Sequence, residues 1–495
     1  MGSASKVTSG AVWSILYNLL NAVYGFVAVP ILINYFGKAE YGLIGLAQSV
    51  NVYMQLMDMG MNSTNVRFFS VWLSQRDDDK VRKLFQTSLG FYGIVGILNA
   101  VILVVISFFA HVLFPITPEQ ATVMRNLFYI LAISAVLNWY SSCFDQLIRA
   151  TENVAWIQKR SFIPKLLQVL VLVLTVCCHF SLILYFVLAT AAMFAILPLS
   201  VSKIRREIPY VSFLPKIDKP VFKEILPYTL NIFSFNLFKF SFVYLCPIFL
   251  GIKASLESVT DYKIIYTIAS AITMVTGVVL SALLPSASKV VAQGNREAYY
   301  KIAYQGTKYL SIITCLCVFG LITISDDLLT VYVGESYHNL SPWLCLLAAL
   351  SLGNHIQCVS SLILSGVDIR ALSRMVIVSS VCALVAAWFL IPYYQVGGVV
   401  IAEVVYEVMQ TLFYYLYYMP KKMQISSLRM LGSFVPALLI GGLLCAVTYC
   451  LPRADNHWQN IFVFGGTFGV GYLLLSLLLL DKDDKDFLRG IIRHK

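Results

Sequence analysis

The sequence predicts an all-α protein that crosses a membrane many times. Of its 495 residues, 59% are hydrophobic and 12% are charged, whereas about one quarter of the residues are charged in soluble domains. The mean hydropathy is +0.78. Apolar runs of about 17 to 25 residues, long enough to span the hydrocarbon as a helix, recur along the chain. They predict fourteen membrane helices, at 11–35, 41–62, 88–113, 126–148, 161–179, 181–202, 225–250, 263–287, 307–325, 341–365, 375–394, 396–418, 430–451 and 459–480.

The basic residues predict the orientation of these helices. With both termini in the cytoplasm, 30 of the 36 lysines and arginines lie on the inner side, as expected because these residues resist translocation. The net charge of +11 is therefore explained by topology and does not indicate a nucleic-acid surface. The eleven cysteines lie in apolar runs without a C-x-x-C pair, so we expect neither a disulfide framework nor a metal site.

The first two helices carry polar residues at helical spacing. Residues 1–8 are too short and polar for a signal peptide, so 11–35 is kept as helix 1. Its polar stripe indicates either close helix packing or a wet cavity, and both interpretations stay open. Helix 2 becomes more polar toward the cytoplasm, where Asp58 and Arg67 either anchor the interface or line an inward-facing mouth. The stripe of helix 1 consists of Ser14, Asn18, Asn21 and Gly25.

Helices 4 and 5 carry charges near their predicted cytoplasmic ends. Asp145 and Arg149 are four residues apart at the end of helix 4, a spacing that predicts a local ion pair. Lys165 lies near one end of the predicted helix 5.

A basic, proline-rich segment divides the chain. We predict an N-lobe of helices 1–6 at 1–202, a cytoplasmic linker at 203–224, a C-lobe of helices 7–12 at 225–418, and two extra helices with a cytoplasmic tail at 419–495. The second lobe echoes features of the first. Six helices per repeat is an even number, so we expect a pseudo-twofold axis along the membrane normal.

One lysine is predicted at mid-depth of helix 7. Lys239 is the only charge in 225–250, and the nearer end of that helix is about 16 Å away. A charge at this depth costs about 2.5 to 3.5 kcal/mol, so it indicates either a functional site or a buried salt bridge. Under the repeat Lys239 aligns with Ala22, so the charge has no counterpart in the first lobe. That asymmetry favours the functional interpretation.

Two carboxylates lie one turn apart on helix 12. Glu403 and Glu407 are spaced to bind a cation or to share a proton at membrane depth. The alternative is that one of them neutralises Lys239.

Four segments, in order, carry a family resemblance over essentially the whole chain. They are GAVWSILYNL in helix 1, PILINYFGKAEYG leading into helix 2, MDMGMNSTNVRFF with Asp58, Gly60 and Arg67, and LIPYYQVGGVVIAE between helices 11 and 12. Together they resemble the bacterial polysaccharide flippases of the Wzx type. That family belongs to the superfamily of multidrug/oligosaccharidyl-lipid/polysaccharide exporters.

The resemblance implies a MATE-like fold and a carrier rather than an enzyme. The carrier would move an undecaprenyl-pyrophosphate-linked oligosaccharide across the bacterial inner membrane by alternating access, for O-antigen, capsule or exopolysaccharide synthesis. No cofactor is expected beyond a coupling ion, H⁺ or Na⁺, for which Glu403 and Glu407 are the candidates. Expected partners are the lipid-linked oligosaccharide, membrane lipids and a polysaccharide polymerase complex, but no nucleic acid.

In this hypothesis Lys239 pairs with the pyrophosphate, asparagines bind sugar hydroxyls and tyrosines stack on sugar rings. A cation- or proton-coupled multidrug exporter, a lipid II flippase and a membrane scaffold are the alternatives, and the uncharged helix 1 argues against the lipid II role. The candidate cavity residues are Lys239, Asn18, Asn21, Tyr17, Tyr24, Asn231, Asn236, Asp58 and Arg67.

Overall fold

A computed structural model of the chain describes residues 3–151, 153–292, 296–359 and 370–480. The regular structure of these residues is helical throughout, without a strand, which confirms the all-α prediction. Some side chains inside the described helices lie outside the description, namely those of 3–11, 15, 154, 231–232, 234–243, 278–279, 281–292 and 370.

The chain divides into two compact units. Unit 1 comprises Met1–Thr260 and Ala387–Gln395, and unit 2 comprises Asp261–Ala386 and Val396–Lys495. The lobe and linker boundaries inferred from the sequence stay predictions.

The helices that lie wholly in unit 1 follow one another along the chain with short connections. They are α1 Ser3–Phe36, α2 Lys38–Tyr53, α3 Met61–Ser74, α4 Asp78–Phe108, α5 Ala110–Leu113, α6 Pro118–Ala150, α7 Val154–Cys177, α8 Leu182–Met193, α9 Leu197–Glu207 and α10 Lys219–Lys253.

Two long helices, α11 Leu256–Ala292 and α14 Arg370–Tyr394, contribute residues to both units. The remaining α-helices belong to unit 2 and are α12 Arg296–Val333, α13 Ser341–Leu350, α15 Val396–Phe413, α16 Ser427–Tyr449 and α17 His457–Ser476. A 3-10 segment, Ser351–Ile356, continues α13, and a π-helical segment, Tyr414–Met423, continues α15.

Among the described residues, eleven helices are long and apolar enough to span a membrane. Each of the eleven coincides with one of the fourteen predicted spans, and the predicted helices without a counterpart among them are 2, 7 and 8. α10 and α11, at the positions of helices 7 and 8, are 35 and 37 residues long. The count of fourteen stays a prediction.

α7 begins at Val154, seven residues before its predicted start. The helix continues through Lys159 and Arg160 because both have partners. Arg160 is buried and donates hydrogen bonds to Asp145 of α6 and to Ser200 of α9. The predicted local pair of Asp145 with Arg149 is therefore wrong, since the carboxylate pairs with a neighbouring helix instead.

The segment between α9 and α10 packs onto α4 rather than extending freely into solvent. The Phe213 ring meets those of Phe85 and Phe144 at centroid distances of 5.5 and 5.9 Å. The backbone N–H of Lys216 donates to the carbonyl oxygen of Gln86 at 3.1 Å. These contacts attach the basic linker to unit 1.

Candidate functional site

The predicted second helix is interrupted in unit 1. After α2, a 3-10 turn runs from Met54 to Asp58, and Met59 and Gly60 then adopt left-handed φ values of 51° and 84° before α3 begins. Glycine adopts this conformation without the steric cost that a Cβ atom imposes. The helix expected at 41–62 therefore ends at Tyr53, and a second helix, α3, begins only at Met61.

Asp58 caps the second half-helix. Both carboxylate oxygens of Asp58 accept the backbone N–H of Asn62, at 3.2 and 3.1 Å. A carboxylate is favoured there because the first turn of a helix has unpaired N–H groups and a partial positive charge. The D-x-G pattern thus marks the point where the membrane helix breaks.

An open cavity of about 440 Å³ lies beside the interruption and is lined entirely by residues of unit 1. Its polar groups are mainly amides and hydroxyls, and Asp58 contributes the one charged side chain of the lining. Such groups both donate and accept hydrogen bonds. The lining comprises Val52, Gln55, Leu56, Asp58, Gly60, Asn62, Ser63, Asn138, Trp139, Ser142 and Tyr244.

A buried chain of hydrogen bonds holds the Asp58 carboxylate in place. The Tyr92 hydroxyl donates to Asp58 Oδ1 at 2.7 Å, and Gln146 Nε2 donates to the Tyr92 hydroxyl at 2.7 Å. Asn65 Nδ2 in turn donates to Gln146 Oε1 at 2.7 Å. The Trp139 ring stacks on Tyr92 with a centroid distance of 5.4 Å. The chain joins α3, α4 and α6, so the orientation of the carboxylate is set by three helices.

Arg67 does not join Asp58 at this cavity. Its guanidinium carbon lies 4.3 Å from the centroid of the Tyr228 ring, which belongs to α10. This is a cation–π contact between two helices. Of the two helix-2 residues proposed for an inward-facing mouth, Asp58 lines the cavity and Arg67 packs elsewhere.

The four candidate residues of helix 1 separate into two pairs. Asn18 and Asn21 are exposed on the surface of unit 1. Tyr17 and Tyr24 are half-buried and face α7, where the ring of Tyr17 meets that of Phe162 at 6.0 Å. The roles proposed for all four residues in sugar binding stay predictions.

Three further candidates, Lys239, Asn231 and Asn236, lie on α10. Their side chains are outside the described part of the structure. Their roles stay predictions.

The two glutamates of α15 have different surroundings in unit 2. Glu403 Oε1 accepts a hydrogen bond from the Tyr262 hydroxyl at 2.8 Å. Glu407 lies against the 3-10 segment, where a Cβ atom on Gly353 would come within 2.9 Å of Glu407 Oε2. Nearby, Gln357 Nε2 donates to Asn354 Oδ1 at 2.6 Å. Each carboxylate thus faces a different element, α11 in one case and the 3-10 segment in the other.

Two features of unit 1 are not predicted from the sequence, one in the cavity and one outside it. The cavity lining from α6, Asn138 and Ser142, lacked a local signal because nothing in α6 marks which face meets the interrupted helix. Lys165 was placed near a helix end, yet it lies in the middle of α7 with its ammonium 4.4 Å from the Tyr24 ring centroid. Lys165 is visible in the sequence as a charge in an apolar run. Because Lys159 and Arg160 precede that run, the sequence predicts a helix that begins too late.

These elements define a helical protein with multiple candidate membrane spans and a polar cavity in unit 1. A family model described as "polysaccharide biosynthesis protein" matches residues 7–291. The chain belongs to this family, whose model covers more than half of its 495 residues. No curated protein matches the chain in sequence.

Solved structures with a similar fold include two kinds of transporter. The lipid II flippase MurJ has a TM-score of 0.71 and 13% identity, with 97% of this chain and 100% of that chain covered. An inward-facing multidrug resistance MATE family transporter has a TM-score of 0.60 and 13% identity, with 92% and 100% covered. The MATE multidrug transporter DinF-BH has a TM-score of 0.57 and 16% identity, with 84% and 96% covered. These matches confirm the MATE-like fold.

Proposed function

We propose that this protein is a flippase for lipid-linked oligosaccharides. Its cargo would be an undecaprenyl-pyrophosphate-linked repeat unit, moved from the cytoplasmic to the periplasmic leaflet of the bacterial inner membrane. The product would serve O-antigen, capsule or exopolysaccharide synthesis. The observation that carries the proposal is the cavity lined by amides and hydroxyls at the interrupted helix of a polysaccharide-biosynthesis family member.

The chemistry of the cavity suits sugar hydroxyls. A sugar presents many groups that both donate and accept hydrogen bonds, and amides such as Gln55 and Asn138 match both roles. Asp58 accepts hydrogen bonds from Tyr92 and Asn62, which hold its carboxylate at the wall of the cavity. The match between the lining amides and sugar hydroxyls supports an oligosaccharide as the cargo.

The remaining roles follow the sequence analysis. Lys239 on α10 would pair with the pyrophosphate, while the amides of Asn18, Asn21, Asn231 and Asn236 would bind sugar hydroxyls. The termini would be cytoplasmic, and the transport cycle would alternate access between the two leaflets. No chemical step is assigned to the protein, which would act as a carrier and not as an enzyme.

Ion coupling would reside in unit 2. Glu403 and Glu407 are carboxylates at membrane depth and are suited to take up H⁺ or Na⁺. The Tyr262 hydroxyl would compete with the ion for Glu403, so ion uptake would change the contact between α11 and α15.

The fold similarity to a lipid II flippase and to multidrug transporters keeps both functions as the second candidate. Mass spectrometry of polyprenyl lipids decides between the candidates, with cells lacking this chain compared with cells that carry it. We expect one oligosaccharide pyrophosphate to accumulate in its absence. Accumulation of lipid II, or an unchanged lipid profile, would reject the proposal.

The same strains test Lys239. Complementation with Lys239→Ala should leave the oligosaccharide lipid accumulated while protein abundance stays near that of the wild type. Full export by this variant would show that Lys239 does not bind the pyrophosphate.

A further inference from the structure

Lys165 lies in the middle of α7, at the beginning of its apolar half. It is 11 residues after Val154 and 12 before Cys177, the first and last residues of α7. At 1.5 Å per residue these separations are about 16 and 18 Å. Lys159 and Arg160 are closer on the same helix, six and five residues before Lys165, or about 8 to 9 Å along the axis.

The ammonium of half-buried Lys165 makes two contacts between α7 and α1. Its Nζ donates to Gln168 Oε1 at 2.9 Å and lies 4.4 Å from the centroid of the Tyr24 ring on α1. Gln168 is three residues farther along α7, so the side chain extends away from the predicted cytoplasmic end. Gln168 Nε2 donates to the carbonyl oxygen of Ala189 at 3.3 Å, which fixes the amide that receives the lysine.

Neither contact supplies a negative charge. Within the described part of the chain, no carboxylate lies within 4 Å of the Lys165 ammonium, whereas Arg160 of the same helix pairs with Asp145. An ammonium has three N–H donors, and a cation at this depth is costly without a partner. The Lys165 ammonium therefore has the capacity to bind an anion.

The surroundings indicate that this anion is attached to a lipid. On α7 the neighbouring residues Leu166 and Leu170 are 59% and 51% exposed, and on α1 Val23 is 53% exposed. These side chains form apolar surface next to the seam between α1 and α7. Asn21, exposed and one turn before Tyr24, adds an amide beside the same seam. An oxyanion at Lys165 could therefore remain attached to a chain that lies on the apolar surface.

We propose that Lys165 binds the diphosphate of a polyprenyl-linked cargo at the α1–α7 seam, as a second contact besides the one assigned to Lys239. Ordinary phospholipids also carry phosphate groups. The choice of the cargo diphosphate as the ligand therefore rests on the proposed function. A cargo diphosphate would interact with Lys165 by a charge-assisted hydrogen bond, and Gln168 and Tyr24 position the ammonium for it.

The test measures binding of farnesyl pyrophosphate to the purified full-length chain in detergent. We expect Lys165→Met to weaken binding roughly tenfold or more, as loss of a charged hydrogen bond predicts. Lys165→Arg should stay within about threefold of wild type because the charge is kept. The matched control is Lys159→Met on the same helix, whose ammonium also lies over an aromatic ring, 4.9 Å from the Trp13 centroid. This control should bind as wild type does.

Two further ligands separate the sources of phosphate. Farnesol, which lacks the diphosphate, should bind equally to wild type and to Lys165→Met. Phosphatidylglycerol should compete poorly with farnesyl pyrophosphate for wild type. Equal binding by wild type and Lys165→Met overturns the proposal, as does equal competition by phosphatidylglycerol or a wild-type chain that does not bind the diphosphate.

This result is separable from the failure of the proposed function. If cells lacking the chain accumulate no oligosaccharide lipid, the flippase proposal fails. A Lys165-dependent preference for farnesyl pyrophosphate in the purified chain would still establish the diphosphate site. If the lipid accumulates but Lys165→Met binds normally, the flippase proposal survives and the assignment of Lys165 does not.

Discussion

The Tyr92 hydroxyl lies 2.7 Å from Asp58 Oδ1 and donates a hydrogen bond to it, near the middle of α4. This bond connects an uninterrupted membrane helix to the turn that interrupts its neighbour. Asp58 in turn caps α3, so one hydroxyl supports both the break and the wall of the cavity.

Removing that hydroxyl should destabilise unit 1. Tyr92→Phe leaves Asp58 and Gln146 without a shared partner, and an unsatisfied buried polar group costs about 1 to 3 kcal/mol. The expected result is a lower melting temperature of the detergent-purified protein. Tyr140→Phe is the control, because the Tyr140 hydroxyl makes no hydrogen bond with the described residues. An equal effect of both substitutions would show that the Tyr92 network contributes little.

A second prediction concerns the backbone at the interruption. Gly60→Ala puts a Cβ on a residue with φ of 84°, and the left-handed conformation costs a non-glycine residue about 1 to 2 kcal/mol. Thermal unfolding should show this loss together with reduced export. Gly466→Ala is the matched control, since it lies within α17 and a Cβ there would meet nothing within 4 Å. That control should be neutral or slightly stabilising.

The cavity itself is tested by changing its polarity and not its size. Asn138→Leu replaces an amide of the lining by an apolar group of similar volume. We expect oligosaccharide lipid to accumulate in cells, with the melting temperature little changed. The control is Thr122→Val on the same helix, whose hydroxyl donates only to Pro118 of its own first turn. Export that is unaffected by Asn138→Leu would argue against cargo contact at this wall.

Local sequence patterns predicted the helices better than the contacts between them. Hydropathy located eleven spans that the described residues contain, because each span buries its own backbone polar groups. The D-x-G motif at Asp58 and Gly60 was visible, but its effect depended on a left-handed φ that the apolar run concealed.

Charge pairing shows the limit of that reasoning. Spacing along α6 paired Asp145 with Arg149, while the structure pairs it with Arg160 of α7. The competing partner is 15 residues away in sequence, and only helix packing brings it close. The same packing places Lys165 beside Tyr24, which no pattern within either helix predicts.

The pairing of Asp145 with Arg160 yields a fourth prediction. Asp145→Ala leaves the buried Arg160 guanidinium without its counter-charge, and breaking a buried pair in this way costs about 3 to 5 kcal/mol. A large drop in melting temperature or in the yield of folded protein is expected. Arg149→Met, at the exposed position favoured by spacing, should change stability by less than about 1 kcal/mol. A larger loss of stability in Arg149→Met than in Asp145→Ala would instead support the pair of Asp145 with Arg149.

The last prediction concerns two adjacent aspartates of α12 in unit 2. Asp327 is buried and accepts hydrogen bonds from Arg453 at 2.7 Å, His457 at 2.7 Å and Asn460 at 2.9 Å. Its neighbour Asp326 is 30% exposed and is 3.9 Å from Arg453. Asp327→Ala should therefore lower stability by about 3 kcal/mol, since it removes the buried acceptor that Arg453, His457 and Asn460 share and leaves the Arg453 charge without its close partner.

The matched change Asp326→Ala should cost less than about 1 kcal/mol, as for other solvent-exposed ion pairs. Thermal unfolding of both variants, with proteolysis of the 450–460 connection as a local readout, checks the difference. If Asp327 ties this connection to α12, its loss should expose the connection to protease before the rest of unit 2 unfolds. Equal protection in the two variants would mean that the apolar packing of α12 against α16 and α17 holds the hairpin without the aspartate.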